Sequence, residues 1–430
     1  MLGELALGRK TGHGAVGAYQ SISKRFKWLG WLGIAAAALI FSFYSALGGY
    51  CLRYVVVNFG NLIGAEFGTN GVGGADVFQG LLSQPDVSIA FALAFMLITM
   101  LVVMSGVGGG IERVCSVGMP ALFFILIICI IRSCTLPGAA DGLKYMFVPG
   151  WAVANGIIDE APGFWRVLTA AGGQMFFSLS IGLGVMITYG SYLGKQEHLQ
   201  RNAFIVCGAD TLIALMAGMA VMPACSAFGV EYGAGPGLLF ASMQTVFSHM
   251  GSVGNLIGFL FYLLVLIAAL TSSISMLELC TAYAVDKQIE KGLTPKRAKH
   301  TSEVAALVFI AGSLVALDGL GAGVAGGAAV ETPATLLGLS VRGWNDCWLD
   351  LYDMVAEGIL MPLGALVMTI LIGWVLKPEV VQLECEQSGV KYRAAGYFKV
   401  CFKFIVPVLL AFILFCQLTD FFGLNIPGLS

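Results

Sequence analysis

The chain has 430 residues, 58% of them hydrophobic and 11% charged, with a net charge of −2. A soluble domain carries about 25% charged residues, and the 23 basic and 25 acidic side chains present cannot cover the surface of soluble domains of this total length. The composition argues against a soluble enzyme, a nucleic-acid binder or a disordered chain, and the near-neutral charge argues against a polyanionic partner. The 57 glycines keep no fixed period, so they are not collagen-like. In membrane helices small residues let backbones approach. The eleven cysteines fall mostly inside apolar runs, as at Cys129, Cys207, Cys280 and Cys416, and none forms a C-x-x-C pair. They read as small buried hydrophobes, not as a disulfide framework.

A spanning helix needs about 20 mostly apolar residues. In chain order the runs 28–58, 87–105, 117–133, 167–192, 202–225, 253–285, 303–317, 352–376 and 398–422 qualify, giving nine predicted spans, of which 303–317 is short. Residues 1–8 read as the end of one further helix. The predicted class is an all-α, polytopic membrane protein with one transmembrane domain over 1–430 and no soluble domain.

Charge sets the expected orientation. Of the 23 Lys and Arg, 18 lie in segments 9–27, 106–116, 193–201, 286–302 and 377–403, and four lie in the alternate segments 59–86, 132–166, 226–252, 318–349 and 423–430. Under the positive-inside rule this puts loop 9–27 in the cytoplasm and the C-terminus outside, in a multi-pass protein of the cell membrane. The seven Trp, at 28, 31, 151, 165, 344, 348 and 374, fall at or near predicted helix ends, as an interfacial belt requires.

Catalytic signatures are missing. There is no H-E-x-x-H and no G-x-S-x-G, and His13, His198, His249 and His300 are expected in or beside loops. Gly321, Gly323 and Gly326 spell G-x-G-x-x-G, but after a helix instead of a strand, so the run reads as a flexible loop and not a dinucleotide site. No enzyme activity and no organic cofactor are expected.

The segment GGQMFFSLSIGLGVMITYGSYL is the exception to plain apolar spans. Gln174, Ser178, Ser180, Gly182 and Gly184 interrupt it. Two glycines one residue apart weaken a helix, and backbone groups freed in lipid must find protein, water or ligand. Two readings fit: a cavity at a helix break, or small residues for tight packing.

Several longer motifs carry a family resemblance. GQMFFSLSIGLGVMITYGSY resembles the sixth helix of the neurotransmitter:sodium symporters, the sodium-coupled amino-acid and amine transporters. AALTSSISMLE at 268–278 resembles their eighth helix, MLGELALGR the end of the second, and FYSALGGYCLRY at 43–54 the third. GIERVCSVGMPALF at 110–123 with TLPGA at 135–139 resembles the loop and fifth helix, and LYDMVAEGILMPLG at 351–364 the tenth. The match is collinear along the whole chain. It implies the leucine-transporter fold, with inverted repeats and discontinuous helices. Family members begin with a first broken helix and most of a second before the point where Met1 falls, so upstream sequence with a G-N-x-W-R-F-P-like stretch is expected.

The resemblance also implies site residues. Ala268, Thr271 and Ser272 share one helix face by their i, i+3, i+4 spacing, and a carbonyl with two hydroxyls suits a hard cation. The ordinary alternative is hydroxyls bonded back to the preceding turn. The family places a second sodium site there. Asp210, an ionisable residue within a span, is expensive and usually functional; with Ser178 it matches part of the first sodium site. Tyr44 matches the tyrosine that bonds the substrate carboxylate, and Phe177 the aromatic residue that closes over the substrate. Ile40, Leu47, Ser180, Leu183, Ser273 and Met276 match the side-chain pocket, which holds two hydroxyls and no charge. Asp353 and Asp286 match the extracellular and cytoplasmic gate acids. The function so implied is sodium-coupled import of a neutral, mainly apolar amino acid by alternating access. The rival expectation is a non-transporting truncated remnant or sensor on the same scaffold.

Overall fold

The computed structural model describes residues 1–69, 71–230, 232, 235–320 and 347–421. Every described element is a helix or a helical turn. The G-x-G-x-x-G run at Gly321, Gly323 and Gly326 and the end segment 423–430 lie outside the described residues.

The helices follow in chain order. α1 (Leu2–Thr11) and α2 (Ala15–Ile22) lead into the long α3 (Lys27–Ile63). A short α4 (Gly74–Leu82) precedes α5 (Pro85–Met104) and α6 (Glu112–Cys134). Two small helices, α7 (Ala139–Phe147) and α8 (Trp151–Ala154), connect to the pair α9 (Phe164–Ser178) and α10 (Val185–Tyr192). α11 (Leu199–Ala227), the short α12 (Met243–His249) and α13 (Ser252–Glu290) come next. α14 (Arg297–Asp318), α15 (Trp348–Asp353), α16 (Met361–Ile370), α17 (Glu379–Glu386), α18 (Ala395–Val400) and α19 (Val406–Phe421) complete the chain.

Among the described residues, eight helical stretches are long and apolar enough to cross a membrane. The short apolar run at 303–317 lies within α14, which extends from Arg297 to Asp318. The one predicted span not among these eight, 167–192, is divided into α9 and α10. His249 closes α12 and His300 lies in the first turn of α14, so both stand at helix ends beside loops.

α3 and α13, with 37 and 39 residues, form the central pair. At 1.5 Å per residue each is about 55 Å long, well beyond the ~30 Å hydrocarbon layer, so both must tilt or project beyond it. α3 stops at Gly64, whose left-handed φ of 68° lets the next residue, Ala65, donate back to Gly60 O at 2.9 Å. Toward that end Tyr50, Tyr54, Phe240 and Tyr262 pack as one buried aromatic group, with the Tyr54 and Tyr262 rings 4.8 Å apart. Asn58 and Gln244 exchange side-chain amide bonds there at 2.9 and 3.4 Å, tying α12 to α3. α1 and α10 approach closely through glycines. A methyl on Gly8 would sit 1.9 Å from the Ile187 carbonyl oxygen, and one on Gly190 2.6 Å from that of Leu5.

All eleven cysteines are free. Burial pushes the Cys385 thiol up to about 11 and that of Cys347 up to about 12, so both stay protonated and unreactive at neutral pH.

The interruption between α9 and α10 is built from identifiable hydrogen bonds. Ile181 N–H returns to Phe176 O at 3.0 Å and Ser180 N–H to Phe177 O at 3.1 Å. This is a Schellman cap with Ser180, at φ 51°, in the left-handed position usually given to glycine. Gly182 and Gly184 follow with φ near 86° each. A methyl on Gly182 would lie 2.3 Å from the Met361 carbonyl oxygen, so α16 presses on the break from one side.

These geometries give opposite expectations for neighbouring substitutions. Gly182→Ala combines a strained φ with a backbone clash and should cost about 1–3 kcal/mol. Ser180→Gly removes the strain of a Cβ at positive φ and should be neutral or mildly stabilising. Thermal unfolding of the purified protein in detergent should rank Ser180→Gly at or above the unmodified chain and Gly182→Ala several degrees below; the reverse order would contradict the cap assignment.

Candidate functional site

The site is organised by the break at 179–184. Its freed backbone is partly satisfied by a residue that sequence reasoning did not single out: Glu4 of α1, fully buried, accepts the Gly182 N–H at 3.0 Å. A carboxylate is a strong acceptor for such an orphan donor, so Glu4 ties α1 to the break. The α3 backbone presses in as well, since a methyl on Gly33 would lie 2.2 Å from the Leu183 carbonyl oxygen.

Ile40, Leu183 and Met276 are buried in one apolar cluster, and Tyr44, Leu47 and Phe177 pack against it partly buried. α3, α9, the break and α13 thus converge on a single apolar space. Ser180 lies in the break itself. Ser273 is placed differently: it is fully buried and its hydroxyl is engaged by Thr99 of α5 at 2.8 Å and by Leu270 O at 2.9 Å. It braces α13 against α5 and offers no free hydroxyl to the apolar space.

Two oxygen sets flank this space. On α13, Thr271 Oγ1 donates to Ala268 O at 2.9 Å, the bond back to the preceding turn that is the ordinary alternative for this hydroxyl, with Ser272 exposed next to them. Across the break, Ser178, the last residue of α9, donates to Asp210 Oδ1 of α11 at 2.6 Å. No hydrogen bond joins the two sets among the described residues. No cluster of three His, Cys, Asp or Glu side chains suited to a transition metal occurs among the described residues either, whereas neutral oxygens with one carboxylate fit an alkali cation.

The predicted gate acids lie at the two ends. Asp286, in the last turns of α13, accepts the Gly14 N–H at 2.7 Å, so the α1–α2 loop is docked on α13. Asp353 ends α15, and Glu357 lies one turn further on in a widened helical turn at Met354–Leu360. Widened turns of this kind recur at functional sites. Glu357 Oε1 and Gln417 Nε2 both approach Gly173 of α9, 3.8 and 3.3 Å from where its side chain would begin.

A further acid closes the basic end of the bundle. Glu278 of α13, 1% exposed, pairs with Arg297 at the start of α14 and accepts the Tyr192 hydroxyl at 2.7 Å. Arg297 Nε also donates to Val103 O at 2.9 Å, so α5, α10, α13 and α14 meet at one ion pair. Nearby, Arg9 donates to Glu197 O at 2.8 Å and pairs with Glu384 of α17 at 3.4 Å. Gln200 and Arg393 exchange bonds at 3.0 and 3.2 Å. The segments rich in Lys and Arg therefore touch one another on one face. Glu4, Glu278 and Glu357 all carry the signal that marked Asp210, an acid inside an apolar run, and that rule applied evenly would have found them.

Comparison with known proteins places this arrangement. The profile of the sodium:neurotransmitter symporter family matches residues 75–325. An uncharacterized sodium-dependent transporter of Bacillus subtilis is 34% identical over 95% of this chain and 84% of its own length. One of Haemophilus influenzae is 32% identical over 93% and 80%. The crystal structure of MhsT in complex with L-phenylalanine superposes with a TM-score of 0.79 at 30% identity, covering 97% of this chain and 87% of MhsT. The chain belongs to the sodium:neurotransmitter symporter family, and it is a sodium-coupled, multi-pass membrane transporter of the leucine-transporter fold, not an enzyme.

Proposed function

We propose that the protein imports a neutral, mainly apolar amino acid together with sodium, and that loop 9–27 is cytoplasmic. The observation that supports the substrate class is the apolar cluster at the break, in which Ile40, Leu183 and Met276 are buried and Leu47 and Phe177 pack against it, with no charged side chain among them. A charged substrate side chain there would be desolvated without a partner, at a cost of several kcal/mol. The bound L-phenylalanine of MhsT supports the same class. The freed backbone at 179–184 and the Tyr44 hydroxyl are suited to the substrate's ammonium and carboxylate. Thr271, Ser272 and the Ala268 carbonyl would hold one sodium, and Ser178 with Asp210 would contribute to another. Asp286 and Asp353 would gate the two ends. The basic segments gathered on one face support the cytoplasmic assignment of loop 9–27. Sodium couples to substrate because each stabilises a state that the other also favours.

Three outcomes test this reading. In proteoliposomes, Thr271→Ala with Ser272→Ala should abolish sodium-stimulated uptake while folded yield stays near that of the unmodified chain; unchanged sodium dependence would remove both residues from the ion site. In competition assays Leu, Met, Phe and Trp should displace substrate and Lys and Glu should not; the opposite ranking would overturn the substrate class. Asp210 bears on chloride. An unpaired carboxylate at mid-membrane costs about 2.5–3.5 kcal/mol on insertion scales, so a cation beside it is favoured and no accompanying anion is needed. Uptake should be equal in chloride and gluconate, and Asp210→Asn should either stop it or make it chloride-dependent. Strong chloride stimulation of the unmodified protein would make Asp210 a structural partner of Ser178 only.

A further inference from the structure

Two widened helical turns cross at the outer edge of the bundle, Leu371–Val375 after α16 and Cys401–Ile405 before α19. Their backbones nearly touch: a methyl on Gly373 would lie 2.5 Å from the Phe402 carbonyl oxygen. A widened turn leaves a carbonyl without its usual donor, and the Trp374 indole N–H fills that role for Lys403 O at 3.1 Å. The bond fixes the indole flat beneath the Lys403 side chain, whose ammonium lies 5.7 Å from the ring centroid. Phe404 packs edge-on against the same ring at 5.6 Å. Trp374 is 57% and Phe404 53% exposed, so this aromatic pair faces outward. The nearby Lys399 is paired with Glu379 at 2.9 Å, whereas Lys403 takes part in no ion pair among the described residues. An oriented cation thus stands on an aromatic floor at the end of a spanning helix, with Glu379 near enough to feel its charge but bonded to Lys399.

We propose that Lys403 and Trp374 form a specific site for the phosphodiester headgroup of an acidic two-chain phospholipid. Charge complementarity selects the headgroup. The exposed apolar flank at Phe404 and Val408, the latter 67% exposed, takes the acyl chains. Cation–π contact holds the ammonium at the interface instead of leaving it to sweep through water, and Trp at this depth is a usual interfacial anchor. The site does not depend on which solute is transported; it needs only a chain that spans a bilayer.

The test is native mass spectrometry of the purified full chain in detergent, titrated with phosphatidylglycerol or with phosphatidylcholine of the same acyl chains. Phosphatidylglycerol should bind more tightly, and Lys403→Gln should weaken it about fivefold, the worth of one basic residue at a membrane surface. Lys403→Arg should retain binding, which separates lost charge from lost fold. Lys391→Gln, an exposed basic residue elsewhere on the same face, should change affinity less than twofold. Equal binding of the two lipids, or an equal loss in Lys391→Gln and Lys403→Gln, would overturn a specific site in favour of diffuse attraction. Displacement of phosphatidylglycerol by soluble glycerol phosphate would overturn the lipid assignment in favour of a free phosphate site.

Discussion

An interrupted helix inside a membrane must account for every backbone group it frees. Between α9 and α10 that requirement governs the surrounding structure. The Schellman cap at Ser180 takes two N–H groups and the buried carboxylate of Glu4 takes a third. The carbonyls of Leu183 and Gly182 face Gly33 of α3 and Gly364 of α16, positions where a side chain would collide with them. The glycines are therefore tied to the break: they let flanking helices come near enough to exclude lipid from a polar backbone. What remains is a space lined by apolar side chains, with polarity supplied from the main chain. Under the proposed function, a ligand with a zwitterionic head and an apolar tail would suit that combination.

The same logic explains where ionised groups sit. A charge in a span is tolerated only with a partner, and each partner found here links elements distant in sequence. Glu278 with Arg297 and Tyr192 joins four helices at one end. Arg9 with Glu384 and the Glu197 carbonyl fastens α1 to α17 and to the loop before α11. Asp286 with the Gly14 amide holds the α1–α2 loop on α13. Breaking a buried pair on one side typically costs 3–5 kcal/mol, so such contacts can act as latches whose opening must be matched by ion and substrate binding energy. α3 and α13 pack along a mainly apolar seam that Asn255 fastens at one end by donating to Asn61 O at 3.1 Å.

Much of this was legible in the sequence. Apolar runs of sufficient length marked the spans, and alternating Lys and Arg content grouped the loops that the structure brings together. The two glycines at 182 and 184 left a break and tight packing both open, and the structure has both: positive φ at each, and α16 packed closely on Gly182. Three things were less visible. Glu4 sits in a short stretch that reads as a helix end, and its role depends on a backbone amide 178 residues away. Ser273 falls beside Thr271 and Ser272 in the chain, yet one step around a helix turns its hydroxyl to Thr99. The widened turns at Met354–Leu360, Leu371–Val375 and Cys401–Ile405 have no sequence signature, since they arise from how α16 and α19 cross neighbouring helices.

The central claim is that ion and substrate are held around the break between α9 and α10. Its most direct test is a structure of the protein solved with sodium and a neutral amino acid present. The account predicts the amino acid seated against residues 179–184, with its side chain among Ile40, Leu183 and Met276 and a cation on the Thr271 and Ser272 hydroxyls. A continuous helix through 179–184, or an amino acid bound away from the break, would contradict it.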